Sequence, residues 1–370
     1  MSQKARNADY TKEYNRKTVL RILRRNTMSS SELARATGLT RASTSLIVED
    51  LLREGFLTEL APQSVGRGRS AIPLSVSRDS FYALGVDIAR RGCSVGLSDM
   101  TGTLLQYRKI ADEADLIGSI VRELENLFKT VDKEKVVGIG ISAPGPLDHE
   151  RGQILAPFHF ERWHGVEICR LLSEPFGIPA YLEHDVCAMA MRELERGESQ
   201  NFMLLFVDSG IGAAIVSGGK LLGGSRYFTG ELGHTTIRFD GRLCECGNRG
   251  CLEGYASLPN ILEGSGFASW KELIDHLDED EEARKLLDQE ATYLAAGVIN
   301  LLNLIPVDTI YLAGDICYHY EHLARRLQRE VGTRALDRRN NSIHIFPADQ
   351  QVGCGVLAAS DIVFSRLLTV

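Results

Sequence analysis

"FYALGVDIARRGCSVGLSDMTGTLLQYRKI" at residues 81–110 and "MLLFVDSGIGAAIVSGGKLLGG" at residues 203–224 follow one plan. Each opens on an apolar strand that ends in Val-Asp and passes through a tight turn into a second strand. A short turn, "DMTG" in one and "SGGK" in the other, leads to a third strand. Helix and strand then alternate in both halves. The first half continues with "DLIGSIVRELENLFKTV", "KVVGIGISAPG" and "IPAYLEHD", and the second with "ATYLAAGVINLLNLI", "DTIYLAGDI" and "NSIHIFPAD". Two such halves predict a duplicated α/β unit with a cleft between its lobes. Ligands of α/β folds bind at strand ends and in clefts of this kind. The last helix, "GVLAASDIVFSRLL" (355–368), is expected to pack back on the first lobe.

With 370 residues the chain is long for one domain, and 44% hydrophobic with 25% charged residues fits a globular protein. No apolar run approaches the roughly 20 residues that span a bilayer. The first 30 residues carry no secretory signal pattern, so the expected setting is the cytoplasm, without a membrane partner. Thiols stay reduced there, and Cys93, Cys169, Cys187, Cys317 and Cys354 are expected to be small buried hydrophobes. Charge is uneven. Residues 1–78 hold 14 Lys and Arg against 7 Asp and Glu, a balance of +7, while the whole chain is −7. The remainder is therefore −14. A basic head on an acidic body points the head at a polyanion.

"NRKTVLRILRR" (15–25) has helical spacing. In the stretch that follows, Ser29 and Glu32 stand at capping-box spacing, Gly38 suits a left-handed helix end, and Thr40 can cap a third helix. Ile47, Leu51 and Leu52 form that helix's expected buried stripe. This is a helix-turn-helix, and Arg41, Ser43, Thr44 and Ser45 lie at the end that meets base edges in the major groove. "GFLTELAPQSVGRGRSAIPLSV" (55–76) reads as strand, basic turn, strand. That is a wing, with Arg67 and Arg69 at its tip for phosphates or a minor groove.

"LCECGNRGCLEG" (243–254) brings Cys244, Cys246 and Cys251 together, and His234 in "TGELGHTTI" supplies a fourth ligand. One imidazole and three thiolates close a tetrahedral zinc set with no position left for water, so the expected role is structural.

"GELGH" followed by "CECGNRGCLEGYAS" closely resembles the signature of the ROK family (repressor, open reading frame, kinase). "SAPGPLD" (142–148) and "EHDVCAMAMRE" (183–193) resemble further family blocks in the same order, and the likeness spans roughly residues 80–365. The head resembles the repressor branch. The resemblance implies a winged helix-turn-helix followed by a two-lobed, actin-like α/β fold of the sugar kinase, Hsp70 and RNase H-like type. It also implies structural zinc and a homo-oligomer. The expected divisions are 1–78 for the head, 79–190 with 353–370 for the first lobe, and 191–352 for the second lobe with the zinc site.

Family kinases use the aspartate of an Asn-Asp pair as base, which matches Asp185. The resemblance assigns the sugar's other contacts to Glu231, His234 and Glu253. His184 stands where the family has asparagine and joins the expected sugar set. A carboxylate cluster suits a polyol, because each carboxylate accepts from neighbouring hydroxyls. The nucleotide motifs depart from the family. D-x-G-x-T reads Asp87-Ile88-Ala89-Arg90-Arg91, G-T-G-x-G reads Asp208-Ser209-Gly210-Ile211-Gly212, and G-G reads Gly314-Asp315 after Ala313. Phosphoryl transfer depends on positioning and charge neutralisation, so these losses argue against productive ATP binding. Arg90 and Arg91 offer a place for a phosphorylated ligand instead. The expected function is a sugar-responsive transcriptional regulator, most simply a repressor. It would bind an inverted-repeat operator in double-stranded DNA as a homodimer or homotetramer, with a sugar or sugar phosphate between its lobes. Two alternatives are a sugar kinase with Asp185 as base and a regulator controlled by a protein partner.

Overall fold

A computed structural model of the chain describes residues 8–61, 72–90, 92–111, 113–223, 230–336 and 343–369. The head holds three helices, α1 (Ala8–Arg25), α2 (Ser30–Thr37) and α3 (Arg41–Arg53), and a strand pair, β1 (Leu57–Glu59) with β2 (Leu74–Val76). Local chemistry sets these boundaries. Ser29 and Glu32 close a reciprocal capping box at the start of α2. Gly38 ends that helix with φ of 71°, which a side chain would resist. Thr40 caps α3 by accepting from Ser43 N. β1 and β2 pair antiparallel, Leu57 opposite Val76, as a wing requires. Arg67 and Arg69 lie outside the described residues.

The first lobe opens with β3 (Tyr82–Ala89), β4 (Gly92–Asp99), β5 (Leu104–Ile110) and α4 (Leu116–Phe128). It continues through β6 (Val136–Ala143), the short hairpin β7 (Leu147–Asp148) and β8 (Gln153–Ile154), α5 (Ile168–Ser173), β9 (Ala180–His184) and α6 (Asp185–Arg196). The second lobe holds β10 (Phe202–Val207), β11 (Ile211–Ser217), β12 (Lys220–Leu221), α7 (Glu253–Ala256), α8 (Leu258–Leu262) and α9 (Trp270–Asp275). α10 (Glu281–Leu302), β13 (Thr309–Ala313), α11 (Glu321–Arg334), β14 (His344–Pro347) and α12 (Cys354–Leu368) complete the chain.

The two large sheets have the same topology. Strand order is β5-β4-β3-β6-β9 in one and β12-β11-β10-β13-β14 in the other. In each, three antiparallel strands are extended by two parallel ones. The inner strands are apolar along nearly their whole length because helices cover both faces. α12 lies across the first sheet so closely that a Cβ on Gly85 would stand 2.2 Å from Val356 O, and one on Gly140 1.8 Å from Ala359 O. The strand glycines are there to admit a helix backbone.

Two features depart from the sequence-based expectation. α6 runs unbroken from residue 185 to 196, so a lobe boundary at residue 190 would cut through a helix. The head is also no separate globule. Val19, Leu23, Leu51 and Leu74 share one apolar cluster with Met100, Val363, Phe364 and Leu368 of the body. Phe56 stacks on Phe81 across the same joint, ring centroids 5.1 Å apart. Among the described residues no helix is long and apolar enough to cross a membrane.

Candidate functional site

The end of β9 and the start of α6 place His184 and Asp185 side by side where the first lobe meets Glu231 of the second. His184 Nδ1 lies 2.9 Å from Asp185 Oδ1, and its Nε2 lies 3.6 Å from Glu231 Oε1. Burial would push this imidazole's pKa down, but Asp185 and Glu231 outweigh burial and raise it to about 10. At neutral pH His184 is therefore a cation between two carboxylates. Glu231 Oε2 lies 3.9 Å from His234 Nε2. Glu253, at the start of α7, accepts from Ile211 N at 2.8 Å and so hangs over the β10–β11 turn. The five expected sugar residues thus form a chain of contacts His184–Asp185, His184–Glu231 and Glu231–His234, with Glu253 tied to the glycine turn beside them.

His234 faces two ways. Its Nδ1 lies 3.6 Å from Cys244 Sγ, and Cys246 Sγ lies 3.7 Å from Cys251 Sγ. The ligand atoms of all four residues fall within 4.8 Å of one another. Bonds of about 2.3 Å to sulfur and 2.0–2.1 Å to nitrogen in a tetrahedron imply S···S edges of about 3.8 Å and N···S edges of about 3.6 Å. These two edges match, and with every pair of ligand atoms within 4.8 Å the donor set suits a tetrahedral metal. Asn248 braces the pocket through Nδ2, which donates to Thr236 Oγ1 at 2.9 Å and to Cys251 Sγ at 3.4 Å.

Behind this site the strand ends of both lobes enclose a cavity of about 390 Å³. Asp87, Asp208, Asp315 and Asp349 line it, against Arg90 and Arg192. Burial, reinforced by Asp185, pushes Asp87 up to about 7. Arg192 is committed to carboxylates, 3.1 Å from Asp349 and 3.4 Å from Asp361. Arg90 is also engaged, donating to the carbonyl of Phe158. Arg91 lies outside the described residues. A polyphosphate entering this cavity would meet more carboxylates than guanidinium groups.

On α3, Arg41, Ser43 and Ser45 are exposed. Thr44 is not. It is fully buried, with Oγ1 donating to Thr40 O at 3.1 Å, which removes it from the base-contacting set. Leu46 on the same helix is 64% exposed, an apolar residue the spacing did not single out. Leu52 is only half-buried, and Val48 takes its place in the buried stripe.

Residues 83–366 match the ROK family, and the chain belongs to that family. The xylose repressor of Bacillus spizizenii is 27% identical over 98% of this chain and 97% of its own. Among solved structures, a ROK family transcriptional regulator, a homologue of Escherichia coli Mlc, superposes with a TM-score of 0.79 over 97% of both chains at 23% identity. A ROK hexokinase from Thermus thermophilus superposes with a TM-score of 0.65 at 26% identity, over 99% of its chain but only 78% of this one.

Proposed function

We propose that this protein is a sugar-responsive transcriptional repressor. Its head binds operator DNA, and its kinase-like body holds a sugar or sugar phosphate between the lobes. The reading rests on one juxtaposition. A set of residues suited to a polyol is assembled where the lobes meet, near a cavity lined by Asp87, Asp208, Asp315 and Asp349. The hexokinase likeness covers 78% of this chain, whereas the xylose repressor likeness covers 98% of it. Arg41, Ser43 and Ser45 on α3 contact bases, and Arg67 and Arg69 on the wing contact phosphates or the minor groove. The working division is a head of residues 1–78, a first lobe that takes in α12, and a second lobe that starts beyond α6.

The carboxylates of Asp87, Asp208, Asp315 and Asp349 that line the cavity oppose a polyphosphate there. We therefore expect no sugar phosphorylation with ATP. Zn2+ is the ion for His234, Cys244, Cys246 and Cys251, in a structural role that fixes the His234 ring and so the sugar site's wall. Lobe closure around a sugar shifts the two heads of a homodimer or homotetramer. It can do so only through unequal affinity of the sugar for the two lobe arrangements.

The test is capture of sheared genomic DNA on the purified protein, with and without added sugars. Xylose comes first, since the Bacillus relative is named a xylose repressor. A few enriched sites sharing an inverted repeat, weakened by one sugar, would uphold the reading. Uniform, salt-sensitive binding that no sugar alters would sink it.

A further inference from the structure

The loop after β8 is anchored in the first lobe and ends on the second. Phe160 and Trp163 pack into the first lobe's core, 8% and 2% exposed, with ring centroids 6.0 Å apart. Two residues earlier the chain crosses the cleft. The Phe158 ring meets the His234 ring at 5.9 Å and 64°, and His159 Nε2 lies 3.0 Å from Glu245 Oε2, between two of the metal-site cysteines. His159 takes φ of 55°, a left-handed conformation uncommon for a non-glycine residue. Such a conformation persists only where its surroundings impose it. Arg90 does the imposing. Its Nη1 donates to the carbonyl of Phe158 and, at 3.5 Å, to that of His159, and its guanidinium lies 5.9 Å from the Phe160 ring centroid.

We infer that Arg90 is a positioning residue for the sugar site. It latches the 157–160 loop across the lobe junction, so that Phe158 becomes a wall of that site for the apolar ring face of an aldose. This deepens the proposed function and rests on it. The Phe158 ring is 40% exposed, so one edge is committed to His234 while part of its surface stays open. The five polar residues can bind hydroxyls but cannot discriminate the carbon skeleton between them. An aromatic wall can, through the area of apolar surface it covers. Arg90 also faces the acidic cavity, so the degraded phosphate loop has gained a different task.

The experiment uses the full-length, zinc-loaded protein with Arg90→Ala, Phe158→Ala and Phe158→Tyr. Hydrogen exchange of the sugar-free protein reads the latch directly. Arg90→Ala should speed exchange across residues 156–161 and leave β10 and β13 unchanged. Titration calorimetry with D-xylose, D-glucose and N-acetyl-D-glucosamine reads the wall. Arg90→Ala and Phe158→Ala should each weaken the best-binding sugar by about tenfold and compress the ranking among the three. The double variant should be little worse than either single one, and Phe158→Tyr should retain the wild-type ranking. Unchanged exchange in Arg90→Ala would overturn the latch. Faster exchange with sugar affinities within about twofold of wild type would overturn the wall. If the wild-type protein binds none of the three sugars while Arg90→Ala still loosens the loop, the latch stands and the sugar reading falls. That separates the two failures.

Discussion

Single residues here carry two assignments at once, and His184 and His234 are the clearest cases. His184 takes an asparagine's place and turns a neutral neighbour of Asp185 into a cation with a pKa of about 10. The sign of its pH dependence follows. The folded-state value lies above the ordinary 6.5, so the pairing stabilises the protein fully below about pH 6.5 and is lost as pH rises towards 10. His184→Asn should therefore flatten the fall in melting temperature between about pH 7 and 10. An equally steep fall in the variant would remove His184 from that role. His234 stands between the cysteine cluster and Glu231, so with the proposed zinc in place chelation should loosen Glu231 as well as the cysteine loop. Dialysis against a chelator, or Cys244→Ser, should lower the melting temperature by several degrees and weaken sugar binding together, as calorimetry on the same samples would measure. The histidine–cysteine cluster and the capping box were legible because their logic is local, a matter of spacing along a few residues. Thr44 was misplaced because its helix turns it inward, and phase within one turn of helix is not fixed by composition. Arg90 was read as a place for a phosphorylated ligand, and its bond to Phe158 was not legible because the two stand 68 residues apart in the sequence.

At the scale of elements, α3 and α12 set the functional geometry. α3 presents Arg41, Ser45 and Leu46 outward while Thr44, Ile47, Val48 and Leu51 hold it down. Arg41→Ala should cost about 1–3 kcal/mol of operator affinity if that arginine reads a base, and should relax preference at one position. Thr44→Val should leave the operator preference unchanged, and a binding-site selection on both variants would tell them apart. The strands and helices of both lobes were readable from period and turn chemistry, including the repeat that generates two sheets of one topology. The close seating of α12 was not, although Gly85 and Gly140 mark it in retrospect. A glycine inside a buried strand signals that another backbone passes over it.

Across the whole molecule, the head and body are joined by charge as well as by apolar contact. Arg24 of α1 bonds both Asp361 of α12 and Glu195 of α6, and Arg25 adds a second bond to Glu195 at 2.8 Å. Asp361 also faces Arg192, whose other partner, Asp349, lines the cavity between the lobes. Arg24 and Asp361 are nearly inaccessible to water, 3% and 1% exposed. Removing one member leaves a buried charge uncompensated, at about 3–5 kcal/mol. Arg24→Met should lose stability on that scale. It should also uncouple DNA binding from the sugar, leaving operator affinity that no longer responds to it. Retained sugar control in a folded Arg24→Met protein would mean that the signal travels elsewhere.

The shared cluster of Val19, Leu23, Leu51, Met100, Val363 and Phe364 has a consequence for ancestry. A tethered reading head can be exchanged between genes by joining coding segments at the tether, because nothing but the linker has to match. A head whose core is completed by the last helix of the sugar-binding body cannot be borrowed that way. Any replacement must arrive with its own complement to Val363 and Phe364, so head and body are expected to be inherited as a pair, and chimaeras joined at residue 78 should express as insoluble or unfolded chains.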